Sequence, residues 1–90
     1  NNCLASVQYW VPDFPKGVGT PNNVTPRTSE PYIGAVILTN ESMPGTNTGH
    51  AGQVTSFTES SVTFKECNYE DGICGIRTLL RSSPIIRDYY

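Results

Sequence analysis

Four side chains of this sequence are of the types that together cleave an amide. Cys3 is a thiol near one end, His50 is the sole histidine, and Glu66-Cys67-Asn68 sets a carboxylate, a second thiol and an amide in succession. A cysteine attacks a carbonyl as its thiolate, and a free thiol with a pKa of about 8.5 is mostly protonated at neutral pH. It needs a base beside it, and the base needs a partner on its far ring nitrogen to fix its orientation. Cys3 is the candidate nucleophile, His50 the candidate base, and Glu66 and Asn68 the candidate orienting groups. Zinc is the competing chemistry for Cys67, Cys74 and His50, but that set lacks a fourth ligand and the C-x₂₋₄-C spacing of zinc sites. No metal or other cofactor is therefore expected.

The elements that must position these groups follow from breakers and periodicity. Cys3-Leu-Ala-Ser-Val-Gln-Tyr-Trp10 holds no breaker and reads as a short helix, capped by Asn1 and Asn2 and stopped by Pro12. Cys3 then lies in the first turn, where the partial positive charge of the helix favours a thiolate. Free backbone N–H groups there can also receive an oxyanion. Residues 12–31 carry five prolines, two glycines and two asparagines and read as a long surface loop. Loops of about twenty residues are uncommon in compact domains and are often functional.

Beyond Tyr32 the pattern changes to strands, over 33–39, 50–57, 61–68, 73–80 and 85–90. One helix on an antiparallel sheet of about five strands, without βαβ alternation, is an α+β layout. The hairpin in the middle allows a finer test, because side chains alternate between faces along a strand. Val62 and Phe64 define one face of the third strand, which also takes Glu66 and Asn68 and turns Cys67 away. On the second strand Val54 selects Gly52 and His50. A three-residue loop at 58–60 pairs Phe57 with Ser61, so that Val54 opposes Phe64, His50 opposes Asn68, and Glu66 lies diagonal to His50. A slip of one residue would break the apolar pairing. His50, Glu66 and Asn68 are thus expected on one face at one end of the hairpin, leaving Cys3 as the nucleophile.

Composition sets the outer limits. Ninety residues allow one small domain, and 37% apolar residues with nine aromatics support one modest core. Net charge is −2 and the six basic residues are scattered, which argues against a nucleic-acid partner. No run approaches the roughly 18 apolar residues of a membrane span, so membrane insertion is not expected. The chain opens on Asn1 rather than Met, which fits a processed product or part of a larger polypeptide. Three cysteines allow at most one intrachain disulfide; Cys67 and Cys74 are the plausible pair and Cys3 the leftover thiol. Two N-x-[ST] sequons, at Asn23 and Asn40, are what chance supplies in a chain rich in Asn, Ser and Thr.

Several segments, in order, resemble the CHAP domain, the cysteine- and histidine-dependent amidohydrolase/peptidase domain of the papain-like and NlpC-type peptidases. They are Asn2-Cys3-Leu-Ala, Pro31-Tyr-Ile-Gly-Ala-Val36, Gly49-His50-Ala-Gly-Gln-Val54, Phe64-Lys-Glu-Cys-Asn-Tyr69 and Ile76-Arg-Thr78. The resemblance covers nearly the whole chain and implies a single catalytic domain over residues 1–90 with a papain-like fold. It implies Cys3 as nucleophile, His50 as general base and acid, Glu66 as the orienting carboxylate, and Asn68 as an assisting or site-lining group. It also implies peptidoglycan as substrate, cut at the muramoyl–L-alanine amide or within the stem peptide or cross-bridge. The place of action would be the bacterial cell wall, beside other domains or subunits of a lysin, autolysin or virion. Some relatives bind calcium after the nucleophile, but here that loop holds only Asp13, so no calcium site is expected. Cys67 and Cys74 fall outside the family pattern. The reading from another class is a non-catalytic module of the same fold that binds cell wall or serves a structural role.

Overall fold

The computed structural model of the chain describes residues 3–42, 44–67 and 73–90. Helix α1 spans Cys3–Trp10, and the strands are β1 Val36–Thr39, β2 His50–Phe57, β3 Ser61–Cys67, β4 Cys74–Leu80 and β5 Ile86–Tyr89. They form one antiparallel sheet in the order β4-β3-β2-β1-β5, with α1 packed on β2 and β3. This is the α+β layout expected from the sequence. No helix among the described residues is long and apolar enough to cross a membrane. The expected capping residues Asn1 and Asn2, and Asn68 at the end of the third expected strand, lie outside the described residues.

The sheet is strongly curled, and a short link requires it. β4 and β5 are its opposite edges, yet only residues 81–85 join them. In a flat sheet the edges would stand about 19 Å apart at ~4.8 Å per strand. The link is folded back on itself, with Ser83 N–H donating to Leu80 O at 2.9 Å and Ile86 N–H to Ser83 O at 3.2 Å. It cannot span that gap, so the edges are drawn together. Leu79 of β4 and Ile86 and Tyr89 of β5 accordingly meet in one cluster.

That curl corrects the expectation of a single core. One cluster joins Val7 of the helix to Phe14, Val24, Val36, Leu38 and Ala51. The other, on the opposite sheet face, holds Ala35, Ile37, Val54, Val62, Phe64 and Tyr89. β1 feeds both, and its four residues are all buried. The loop after the helix is also more than a surface loop. Phe14 and Val24 are buried in the helix-side cluster, and a 3₁₀ turn forms at Pro21–Asn23. Val7 is the only apolar helix residue that is fully buried, so this segment supplies the cover an eight-residue helix lacks.

Two details differ from the expected strands. β1 begins at Val36 rather than at residue 33, because Gly34 adopts φ +92° in a turn closed by Ala35 N–H donating to Tyr32 O at 3.0 Å. In the hairpin Val54 opposes Phe64 as expected, but Phe57 opposes Val62 rather than Ser61. The register shifts between Val54 and Ser56, a bulge that leaves Thr55 as the additional residue on β2. The irregularity lies toward the turn. Gln53 opposes Lys65 on the site side of it, so the register near His50 is the expected one.

Candidate functional site

His50 is the first residue of β2, at the end of the sheet. Its approach is fixed by a short set of contacts. Gly49 takes φ +73°, and its N–H donates to Ser42 Oγ at 2.9 Å. A Cβ on Gly49 would run into Asn22 Oδ1 and stand 3.0 Å from Thr39 O, so the position requires glycine for both conformation and space. Asn22 is itself tied to the loop, its N–H donating to Thr48 O and its side-chain amide to Asn47 O at 2.7 Å. The turn at Pro21–Asn23 therefore braces the segment that delivers the histidine.

The diagonal pairing expected across the hairpin is formed. His50 Nε2–H donates to Glu66 Oε1 at 2.6 Å, with both side chains largely buried. Gly52 makes this possible. A Cβ there would lie 2.7 Å from Lys65 O, 2.7 Å from a Phe64 ring carbon and 3.4 Å from Glu66 Cβ. The missing side chain lets β3 close over β2 and lets Glu66 reach across to the imidazole. Gly52→Ala is expected to cost about 2 kcal/mol by overpacking, read as a lower urea midpoint. A change within about 0.5 kcal/mol, the usual range for a surface substitution, would show that the close approach is not needed.

Cys3 is buried in the first turn of α1, near enough to the His50 imidazole to raise its affinity for a proton. With Nε2 committed to Glu66, Nδ1 is the ring nitrogen left for the thiol. Alternation along β2 turns Ala51 toward the helix and His50 toward the other face. Only at the strand end can one imidazole meet a helix-borne thiol and a carboxylate from the opposite face. The order Cys3–His50–Glu66 is thus assembled from three elements.

Two further residues extend the chain of contacts, and sequence reasoning did not single them out for the site. Arg77 of β4 donates to Glu66 Oε1 at 2.9 Å, and it holds both oxygens of Glu41, at 2.8 and 2.7 Å. Thr39 Oγ donates to Glu41 Oε1 at 3.1 Å. The guanidinium also lies 5.2 Å from the centroid of the Phe64 ring. The signal lay in the cysteine pair, expected from the sequence as plausible but not used to set the register of the third and fourth strands. Cys67 and Cys74 are directly opposed and disulfide-bonded, which fixes Glu66 against Gly75 and Phe64 against Arg77. Pairing the two cysteines in the sequence would have put Arg77 diagonal to Glu66. The bond also consumes both thiols of the zinc alternative, and Cys67 faces away from His50 as expected. Cys3 is the free cysteine.

The electrostatics follow from these contacts. Burial disfavours the charged imidazole, but hydrogen bonds with Cys3 and Glu66 and attraction to both outweigh it and push His50 up to about 9. Burial also works against an ionised Glu66. Hydrogen bonding from His50 and the charge of Arg77 prevail and hold its carboxyl below the usual range. Glu41 is lowered chiefly by its hydrogen bonds from Arg77. At neutral pH the cluster therefore presents two carboxylates, one guanidinium and one imidazolium.

The remaining expected contributors separate. Asn68 and Tyr69 lie outside the described residues. On the helix, Tyr9 is exposed, and Trp10 is half-buried with Lys65 Nζ 4.4 Å from its ring centroid. A groove of about 510 Å³, lined in part by Glu59, Arg81 and Asp88, lies at the far end of β4 and shares no residue with the Cys3–His50 cluster. Comparison with known proteins adds no relative: the chain matches no family model, no curated protein and no solved structure.

Proposed function

We propose that this chain is a cysteine amidohydrolase/peptidase of the CHAP kind, with a papain-like arrangement, that cleaves an amide bond of bacterial peptidoglycan. The observation that carries the reading is the grouping of Cys3, His50 and Glu66: a buried thiol in the first turn of a helix, beside an imidazole that a carboxylate holds through Nε2 at 2.6 Å. The resemblance of the segments around these residues supplies the substrate class. In the proposed reaction the proton of the Cys3 thiol already resides on His50 as the imidazolium, and the thiolate Sγ attacks the carbonyl carbon. Backbone N–H groups at the start of α1 receive the oxyanion. His50 then returns the proton to the departing amine, leaving a thioester on Cys3. Water, deprotonated by the same imidazole, attacks the thioester, releases the carboxylic acid and restores the thiol. Glu66 keeps the ring oriented throughout, and Asn68 is proposed to assist it. The chain would act at the cell wall, alone or beside other domains or subunits of a lysin or virion.

The test is incubation of purified cell walls with the protein. Loss of turbidity with release of new soluble amino groups is expected, and none from Cys3→Ala. Protein that binds walls and releases nothing would overturn the hydrolase in favour of a binding module. Mass spectrometry of products from defined peptidoglycan then identifies the bond, since an amidase frees the stem peptide from muramic acid and an endopeptidase cuts within peptide.

A further inference from the structure

We propose that Arg77 is the positioning residue of this site, fixing Glu66 against His50 while Glu41 anchors the guanidinium from its other side. This rests on reading Cys3 and His50 as a working thiol–imidazole pair.

Three observations carry it. First, Arg77 and His50 donate to the same atom, Glu66 Oε1, at 2.9 and 2.6 Å. A glutamate on a strand has three side-chain torsions, and a single hydrogen bond to an imidazole leaves it free to swing. Two donors converging on one oxygen leave little such freedom. Second, the guanidinium is held on its own account. Its fork takes both oxygens of Glu41, and its central carbon lies 5.2 Å from the Phe64 ring centroid. Glu41 is in turn bonded by Thr39, the direct cross-strand neighbour of His50. The path from Glu41 through Arg77 to Glu66 thus starts and ends beside the histidine. Third, the backbone that carries Arg77 is locked to the one that carries Glu66. The Cys67–Cys74 bond joins β3 to β4 at the pair next to Glu66 and Gly75.

A purely structural role, in which Arg77 only ties the loop before β2 to β4, would be met by Glu41 alone. The bond to Glu66 is the part that role does not require. Arg77 also supplies the charge that lets two carboxylates sit side by side. Without it, Glu41 and Glu66 would repel, and the less restrained one would turn toward water, away from His50.

The experiment exploits the single histidine. The Nε2–H of His50 gives one imidazole proton resonance, shifted far downfield while it is held by the carboxylate. Alkylation of Cys3 by iodoacetamide, followed against pH, reports the thiol on the other side of the ring. Both are measured in wild type, Arg77→Gln, Arg77→Lys and Glu41→Gln, with circular dichroism to confirm folding. In Arg77→Gln the downfield resonance should vanish and alkylation near pH 6 should slow about tenfold, the size expected for losing one charged hydrogen bond. Arg77→Lys, which keeps the charge but not the fork, should recover part of both, and Glu41→Gln should lie between wild type and Arg77→Gln. A folded Arg77→Gln with unchanged resonance and rate profile overturns the inference. Should that variant not fold, unchanged values in both Arg77→Lys and Glu41→Gln overturn it equally. The outcome is separable from the proposed activity. Wild type that shows the resonance and its Arg77 dependence but releases nothing from cell walls overturns the hydrolase reading and leaves the positioning role standing.

Discussion

His50→Ala is expected to lower the proposed wall hydrolysis to about a thousandth of wild type or less, the size of loss expected when a member of a catalytic triad is removed. The argument is one of supply. The chain has no second histidine, and Cys3 lies near enough to this imidazole to raise its affinity for a proton. Removing the ring takes away, in the proposed mechanism, the acceptor of the thiol proton, the donor for the leaving amine and the base for deacylation in one step. It should not unfold the chain. Glu66 keeps its bond to Arg77, so no uncompensated buried carboxylate is left behind. The same variant has a second, non-enzymatic readout. Cys67 and Cys74 are joined, so iodoacetamide reports on Cys3 alone. In His50→Ala the alkylation rate should be low near pH 6 and climb with pH as an ordinary thiol's does, whereas wild type should already react there. Because Cys3 is only 5% exposed, the wild-type rate also reads whether an electrophile reaches the sulfur. A His50→Ala protein that retained hydrolysis within about tenfold of wild type would remove the histidine from the mechanism.

Much of this site was legible because strand alternation is a rigid rule. Val54, Val62 and Phe64 chose a face, and the same parity carried His50 and Glu66 onto it and Cys67 off it. The Val54–Phe64 pairing and the 2.6 Å bond between His50 and Glu66 follow that reasoning closely. The helix over Cys3–Trp10 was legible for an equally local reason, a run without breakers before Pro12. Nonlocal features were not. The bulge at Thr55 arises from the twist and closure of the hairpin, which a count of loop residues does not contain. The burial of Phe14 and Val24 depends on a vacancy beside a short helix, which appears only once the sheet is assembled. Arg77 and Glu41 are far apart in sequence, and each alone reads as a solvated charge. Their meeting depends on the β3–β4 register, which the sequence encodes only through the pairing of Cys67 with Cys74. The curl of the sheet, which gives Phe64 and Tyr89 a shared interior, follows from the five-residue link between edges that no pattern of apolar residues announces.

The folded protein is expected to lose stability as pH rises from about 6.5 through about 9, the interval set by the imidazole in the unfolded and folded chain. The direction follows from proton counting. The native state binds the His50 proton more tightly, because Cys3 and Glu66 stabilise the imidazolium. Below 6.5 both states hold that proton, and the contribution is present in full. Between the two values only the native state keeps it, so each unit of pH diminishes the difference, and above 9 it is gone. The shift corresponds to about 3 kcal/mol, an order-of-magnitude figure at ~1.4 kcal/mol per pH unit. The ring is 16% exposed, so solvent screening removes little of it. Glu41 and Glu66 work in the opposite sense, since their lowered pKa values confer stability above the ordinary 4.5 that is lost as acid protonates them. Together the carboxylates and the histidine confine greatest stability to the interval between about 4.5 and 6.5. Urea midpoints measured across pH 5 to 10 read this directly, with His50→Gln as the control that removes the titrating ring and retains a hydrogen-bonding side chain. Wild type should fall relative to the control by the full amount across the upper interval. Parallel curves for the two proteins would mean that the imidazole holds no tighter proton in the folded chain, and the thiol–imidazole–carboxylate relay would lose its electrostatic basis.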